Sequence, residues 1–598
     1  MKDGQKRELE AISIKEANEE SGASRATINV LVKANLLSIT EVEVRRQPFS
    51  YDEIRPSPPL RLTAAQQEAV GEINMAMKES RPGKSSVFLL HGVTGSGKTE
   101  VYLQALAGAV KMGKRGIVLV PEIALTPQTI ERFAARFPQR TAVLHSQLSA
   151  GEQFDEWRLV KDGQFDVVTG PRGALFAPQP DLGLIVIDEE HEWSYKQQDK
   201  SPRYHSRAVA IKLAELTGAV VVLGSATPDV ESYYNANDGE FKLLELPERL
   251  TPHEGASLPQ AEVVDLKEEL KAGNRSIFSR RLKEAMDGAL SRNEQAILFF
   301  NRRGGASFVQ CRHCGLVIRC RRCDVPLSYH PAESSLICHQ CSYKLAVPEV
   351  CPSCSSRHIK FLGLGTQKLE QETAATFPVA RILRWDSDAT HGKHAHKKIL
   401  ETFSHHQADI LIGTQMVAKG LDLPQVTLVG VIIADTALNL PDFRAGERTF
   451  QLLSQVAGRA GRGPGGGRVI IQSYSPQHYS IKAALKHDYA AFYGQEIKYR
   501  RQLGYPPFTK LVRLTFSHTN DDYAAKEAAR LKTQLTQETA ARGISRMNII
   551  GPAPAFMHRL RGRYRWQLIL RGAKPASLLK SVSLPQGWAI DVDPLGIS

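Results

Sequence analysis

Apolar side chains follow three patterns along this chain. Near the start they recur at helical spacing. Ile14 and Ala17 begin a short helix at the capping-box sequence SIKE (13–16), and Ile28, Leu31, Val32 and Leu36 share one face of SRATINVLVKANLL (24–37). The strand-like ITEVEVRR (39–46) follows, so helix, turn, helix and strand predict a winged helix over residues 1–50. In the middle, short unbroken apolar runs at Val87–Leu90 and Leu184–Ile187 predict buried parallel strands. Near the end, RGRYRWQLIL (561–570) alternates, with Arg561, Arg563, Arg565 and Gln567 on one face and Tyr564, Trp566, Leu568 and Leu570 on the other. That pattern predicts an amphipathic strand with its apolar face in a small α+β domain and a basic face exposed.

Composition narrows the class. The chain has 598 residues, 42% of them hydrophobic and 23% charged, which describes a globular protein too long for one core. Residues 1–30 hold no signal-like apolar run, and no stretch reaches the roughly 18–20 apolar residues of a membrane span. The expectation is a cytoplasmic protein with reduced thiols and no membrane partner. A net charge of +14 suggests a polyanionic partner, a balance that ribosomal or membrane-surface proteins would share.

Chemistry sits at the ends of the two central apolar runs. After a linker rich in proline (Pro56, Pro58, Pro59), the run Val87–Leu90 leads into Gly92-x4-Gly97-Lys98-Thr99 and then into helical periodicity. Strand, loop and helix together are the context of a phosphate-binding P-loop. The loop Gly92, Thr94, Gly95, Ser96 and Gly97 would turn backbone N–H groups toward phosphates at a helix N-terminus, Lys98 would reach the β and γ phosphates, and Thr99 would ligate Mg2+. About ninety residues on, Leu184–Ile187 delivers Asp188 and Glu189 to the same edge of an α/β sheet. Asp188 suits the Mg2+ water shell, and Glu189 suits orienting an attacking water.

All eight cysteines lie between residues 311 and 354, as four C-x-x-C pairs. Each pair can aim two thiolates at one metal, so the set predicts two structural Zn2+ ions with no open coordination position. A nested arrangement joins Cys320, Cys323, Cys338 and Cys341 at zinc-ribbon spacing, with Cys311, Cys314, Cys351 and Cys354 closing a second site around it. Sequential pairing is the alternative, and it would leave only five residues between the first two knuckles.

Further phrases carry a resemblance. DEEH (188–191), GSATP (224–228) and QVAGRAGR (455–462) resemble motifs II, III and VI of superfamily 2 helicases. VLVPEIALTPQ (118–128), TGPRGALFAP (169–178), ILFFNRRG (297–304) and GTQMVAKGLDLPQVTLVGV (413–431) are similar to motifs Ia, Ib, IV and V, and Gln66 of LTAAQQ sits where such enzymes recognise adenine. With the eight-cysteine insertion between motifs IV and V, nearly the whole chain resembles the bacterial primosomal replication-restart DNA helicases.

The resemblance implies a multidomain α/β protein. After the winged helix and linker (51–61) would come two RecA-like parallel-sheet helicase lobes (62–258, then 259–308 with 358–504), a Cys-rich double-zinc insertion (309–357) in the second lobe, and a small α+β C-terminal domain (505–598). It implies ATP-driven 3′-to-5′ unwinding of forked and single-stranded DNA at stalled forks. Single-stranded DNA-binding protein, the primosome and helicase-loading proteins would be the partners. Gln455, Arg459 and Arg462, set on one helical face, would reach across from the second lobe to the γ-phosphate. WSYKQQDKSPRYHSR (193–207) mixes Trp193, Tyr195 and Tyr204 with Lys196, Arg203 and Arg207, and would be a DNA-sensing loop reporting to Glu189 through His191. The basic face of 561–570 could bind DNA backbone or an acidic peptide, and the family's partnership with single-stranded DNA-binding protein would make Arg563 and Gln567 candidates for the latter. The family usually begins with a domain that reads the 3′ end of a nascent strand; this chain starts at the winged helix, so that domain is expected to be missing. A nucleic-acid scaffold would account for charge, winged helix and zinc, but not for Lys98, Glu189 and Arg462 together. A translocase that does not separate strands, or an RNA remodeller, would share every motif.

Overall fold

The computed structural model describes residues 14–40, 46, 54–121, 127–250, 259–301, 308–311, 313–322, 325–330, 335–338, 343–357, 359–361, 366–386, 395–414, 423, 425–458, 467–544 and 546–597. Two parallel sheets dominate it. The first has seven strands in the order Thr141–Val143, Val167–Gly170, Arg115–Leu119, Leu182–Asp188, Val220–Ser225, Val87–Gly92 and Lys242–Leu246, with every pairing parallel. Its central strands are buried along almost their whole length because helices cover both faces, which is why they read as unbroken apolar runs. The strand Val220–Ser225 lies between the other two that carry chemistry. The carboxyl ends at Gly92, Ser225 and Asp188 therefore open side by side into one crevice.

The second sheet has six parallel strands in the order Ile382–Trp385, Ile410–Gly413, Gln295–Phe299, Val426–Val431, Arg468–Ser473 and Gln260–Asp265. The helix Ala445–Ala457 packs its apolar face, including Phe450, Leu453 and Val456, into this lobe's core. Its described part ends at Gly458, and Arg459 and Arg462 lie outside the described residues.

The cysteine-rich insertion leaves the second lobe through Val309–Cys311 and returns through Ile359–Phe361, and these two segments pair antiparallel. Within it, Ser328–His330, Ser335–Ile337 and Lys344–Ala346 form a second small antiparallel sheet. The C-terminal region is a four-stranded antiparallel sheet, Asn548–Leu560, Arg563–Gly572, Lys510–His518 and Trp588–Val592 in that order. The helix Asp521–Ala541 buries Leu531 and Leu535 against one face, and Phe443 of the second lobe packs with Tyr505, Leu511, Ile569 and Ile597 on the other.

At the N-terminus, helices Ile14–Ser21 and Arg25–Lys33 are present, with the Ser24 side chain accepting from the Thr27 N–H and Ile28 buried. Ser13 of the predicted capping box and most of the predicted strand 39–46 lie outside the described residues. The proline linker is pinned to the first lobe. Arg136 donates to the carbonyls of Ser57 and Pro58, and the Leu60 N–H donates to Glu100, in the first turn of the P-loop helix.

Candidate functional site: a nucleotide crevice between two lobes and a cysteine cluster

The P-loop is built around glycine. Gly95 and Gly97 take φ of +83° and +76°, and a Cβ on Gly97 would stand 2.4 Å from the Gln66 amide nitrogen. Gln66 is buried and used at both ends. Its Nε2 donates to the Ser96 carbonyl at 2.9 Å, and its Oε1 accepts from the Thr63 N–H to close a capping box. Lys98 opens the helix Lys98–Lys111 and donates to the carbonyls of Gly92 (2.8 Å) and Val93 (3.4 Å). Burial pulls its ammonium below the usual range, and the carboxylates of Glu189 and Asp188 pull the other way. The Ser96 hydroxyl is buried with no partner among the described residues, which fits a loop shaped for acceptor oxygens brought by a ligand. Thr99 is half-buried beside it.

Asp188 ends its strand under a tyrosine that sequence reasoning missed. Tyr102, on the P-loop helix, donates to Asp188 Oδ1 at 3.0 Å. A Cβ at Gly224 would sit 1.6 Å from that hydroxyl, so glycine in GSATP is what admits the phenol. Burial and the Glu189 charge push the Asp188 carboxyl up to about 6, against the opposing pull of Lys98. Glu189 adopts φ +48°, a left-handed conformation that costs about 1–3 kcal/mol in a non-glycine residue and turns the chain sharply out of the strand. Its Oε2 lies 3.6 Å from His191 Nδ1.

His191 joins three motifs. Its Nδ1 is 2.7 Å from Ser225 Oγ, whose oxygen also accepts from the Thr227 N–H, and its Nε2 accepts from the Gln455 amide at 2.8 Å. The same amide nitrogen donates to Glu192 at 3.4 Å, which fixes its orientation and leaves the imidazole proton on Nδ1. Gly458 packs against Thr94 of the P-loop, where a Cβ would meet the threonine methyl at 3.2 Å. The second lobe therefore already closes on the first.

Behind the crevice the lobes share a buried ionic network that sequence reasoning also missed. Arg207 pairs with Glu190 (2.9 Å) and Asp229 (3.0 Å). Arg444 pairs with Asp229 and Glu447 (both 3.1 Å) and with Glu231, and Arg500 pairs with Glu447 (2.7 Å) and Glu496 (2.9 Å). The Val230 N–H donates across the interface to Glu447 at 2.8 Å. Burial would raise Asp229, but Arg444 and Arg207 hold it well below the ordinary carboxylate range. The phrase DFRAGERTF contains Arg444 and Glu447, yet nothing local marks either as interior.

Several residues predicted to meet DNA or a partner are placed elsewhere. Tyr195 is 1% exposed and donates to the carbonyls of Asp188 (2.6 Å) and Leu119 (3.0 Å), so it belongs to the core under Asp188. Arg207 is consumed by the ionic network. Gln567 is 2% exposed and donates to the Ile597 carbonyl, because the chain's final segment covers that face of the strand. Arg563 is exposed, as predicted for the basic face. Trp193 and Tyr204 are half-buried; Arg448 lies 3.9 Å over the Trp193 ring, and Phe176 meets Tyr204 edge-on.

Four sulfurs converge in the insertion. Cys311, Cys314, Cys351 and Cys354 place their Sγ atoms within 4.8 Å of one another, with 3.6 Å between 311 and 354 and between 314 and 351. A tetrahedron with Zn–S bonds of about 2.3 Å needs sulfurs about 3.8 Å apart, so the donor set fits Zn2+. The turns are alike. Cys311, Cys320, Cys338 and Cys351 each donate their N–H to the carbonyl five residues on, and His313, Arg322 and Ser353 donate to the sulfur two residues back. Burial raises the Cys351 thiol, but N–H groups of Ser353 and Cys354 and the neighbouring thiols outweigh it and bring it to about 7. Cys320 and Cys338 are buried in the insertion's core, while Cys323 and Cys341 lie outside the described residues.

Comparison with known proteins agrees with this geometry. The chain matches the DEAD/DEAH box helicase family over residues 63–236 and the helicase conserved C-terminal domain over 364–464. It also matches the PriA DNA helicase Cys-rich region domain over 320–345 and the primosomal protein N C-terminal domain over 501–595. It is 47% identical over 548 residues to the replication restart protein PriA of Bacillus subtilis, spanning 92% of this chain and 67% of that one. Against the PriA of Synechocystis sp. it is 45% identical over 592 residues, 96% of this chain and 69% of the relative. Against that of Haemophilus influenzae it is 38% identical over 576 residues, 94% and 77%. Two parallel-sheet helicase lobes, a zinc-type cysteine cluster and the C-terminal domain thus come together in one chain, which belongs to the PriA family of replication restart helicases.

Proposed function

We propose that this protein is an ATP-dependent 3′-to-5′ DNA helicase that acts at stalled or abandoned replication forks and begins primosome assembly in the cytoplasm. The observation that carries the reading is the closed crevice itself. Lys98 and the Asp188–Glu189 turn belong to the first lobe, and Gln455 of the second lobe reaches His191 between them. In this reading the P-loop N–H groups and Lys98 bind the phosphates of ATP, and Thr99 and Asp188 hold Mg2+, which supplies charge neutralisation when bound. Glu189 orients the attacking water. His191, held by Ser225 and Gln455, keeps Glu189 in register, and Arg459 and Arg462 follow directly from the helix that carries Gln455. Gln66 reads adenine while bracing Ser96.

Two Zn2+ ions hold the insertion, one on Cys311, Cys314, Cys351 and Cys354 and one on Cys320, Cys323, Cys338 and Cys341. Arg319, Arg321 and Arg322 are the described part of a basic run that would press on the duplex junction. The winged helix and the loop holding Trp193 and Tyr204 supply further DNA contacts, and Arg563 is a contact for single-stranded DNA-binding protein.

ATP turnover with single-stranded DNA, forked DNA, duplex and RNA, paired with strand separation on the fork, tests this reading. Turnover should require DNA and accompany unwinding. Lys98→Ala should abolish turnover with DNA binding kept, and Glu189→Gln should bind ATP and stall before hydrolysis. Wild-type turnover in either variant would remove the site assignment, and turnover without strand separation would make the protein a translocase.

A further inference from the structure

Lys196, in the loop that follows the Asp188–Glu189 turn, is 2% exposed and its ammonium faces another domain. It forms an ion pair with Asp591 Oδ1 at 2.9 Å and donates to the carbonyls of Val592 at 2.6 Å and Arg203 at 3.2 Å. Asp591 and Val592 belong to the last strand of the C-terminal domain, Trp588–Val592. Asp591 is itself held in place, since its Oδ2 accepts from Arg513 of the neighbouring strand at 3.0 Å, and Arg513 also donates to Gly596.

The residue before Lys196 faces the opposite way. Tyr195 donates to the Asp188 carbonyl, and its own carbonyl accepts from Ser206. One peptide unit thus separates a contact on the backbone of the Asp188–Glu189 turn from a contact on the C-terminal domain. A second strut runs parallel. Arg448 stacks on Trp193 and donates to the Leu595 carbonyl at 2.5 Å.

A buried ammonium without its counter-ion is far more costly than an apolar side chain in the same place, so removing Asp591 would weigh against this position of the loop. Apolar packing could glue the two surfaces equally well. A charged pair adds one fixed register.

We infer that Asp591 is a positioning residue for the motor: through Lys196 it fixes the loop 193–207 against the Asp188–Glu189 turn, so the response of ATP hydrolysis to DNA depends on the C-terminal domain. The inference rests on the proposed DNA-dependent ATPase and extends it to a residue outside every helicase motif.

The test measures ATP turnover of the full chain with and without oligo(dT), alongside oligo(dT) binding by fluorescence anisotropy. Asp591→Asn should lower the DNA-stimulated kcat by about tenfold toward the unstimulated rate, while the unstimulated rate, the KM for ATP and the Kd for oligo(dT) stay within about twofold. Asp591→Glu, which keeps the charge, should recover most of the stimulation. Folding is controlled by Lys196→Met combined with Asp591→Asn, which leaves no orphaned ammonium. This double variant should melt with the wild type and still lack stimulation. Full stimulation in Asp591→Asn or in the double variant overturns the inference, as does a parallel fall of stimulated and unstimulated rates. If the wild-type chain shows no stimulation by DNA, the proposed function itself fails, a different and recognisable result.

Discussion

The Gln455 amide donates to His191 Nε2 at 2.8 Å, which ties the second lobe to the imidazole whose Nδ1 lies 3.6 Å from Glu189 Oε2. On the other side of the ring, Nδ1 meets Ser225 at 2.7 Å. The imidazole is therefore held from both lobes, and its Nδ1 proton is directed at the serine and glutamate side.

Gln455→Ala should lower kcat for ATP about 10–100-fold while nucleotide affinity stays within about threefold, since losing one partner of a buried hydrogen bond costs about 1–3 kcal/mol. Steady-state turnover and equilibrium binding of a fluorescent ADP separate the two. Equal losses in binding and turnover would mean that Gln455 shapes the phosphate pocket instead of orienting His191.

Asp188 offers a test with a defined sign. Burial and the Glu189 charge raise its folded pKa from 3.8 to about 6, so its charge opposes folding above that range and the penalty fades as pH falls toward 4. Asp188→Asn should therefore raise the thermal midpoint of the nucleotide-free protein at pH 8, with the gain shrinking between pH 6 and 4, while turnover is lost. In the wild type, the Mg2+ needed for half-maximal turnover should rise as pH drops below about 6, because protonation removes the ligand. Thermal melts across that range check the first claim and magnesium titrations check the second.

What was legible in the sequence was whatever chemistry is local. The P-loop, the acidic turn and the C-x-x-C knuckles each lie within a few residues, and glycine spacing or apolar runs announce them. What was not legible depends on segments far apart in the chain. Tyr195 and Arg207 sit in a stretch whose aromatic and basic composition suggests an exposed nucleic-acid surface, but their partners, Asp188, Glu190 and Asp229, turn them inward. Gln567 obeys the alternation that puts it on a basic face, yet Ile597 and its neighbours cover that face from the end of the chain. Arg444, Glu447 and Arg500 look like ordinary helix surface until the lobes meet.

The interlobe network predicts a local, directional loss of stability. Arg444→Ala would leave Asp229, Glu231 and Glu447 facing one another with only Arg207 and Arg500 to compensate. Breaking one member of a buried ion network costs about 3–5 kcal/mol. Hydrogen exchange should show lost protection in the helix Ala445–Ala457 and around Val230, with the C-terminal helix Asp521–Ala541 unchanged. Uniform loss across all domains would indicate global unfolding instead.

The cysteine insertion should come away from the motor without stopping it. Both of its ends leave the second lobe at one antiparallel pair, Val309–Cys311 with Ile359–Phe361, and its small core of Val309, Ile318, Val325, Leu327 and Leu336 is packed around Cys320 and Cys338. So little apolar surface cannot hold a fold alone, and structural zinc supplies the folding free energy of such modules. The intact protein should contain two zinc ions by metal analysis. Replacing Cys320 and Cys323 by serine should remove one of them and loosen the inner sheet. Replacing Cys311 and Cys314 should remove the other and open the paired strands at the lobe. None of the phosphate-facing residues lies in the insertion, so DNA-stimulated ATP turnover should persist in the Cys320/Cys323 variant while fork unwinding or helicase loading is lost. A single zinc per chain would overturn the two-site arrangement. Turnover that disappears together with unwinding would show that the insertion braces the second lobe itself, through the strand pair that joins them.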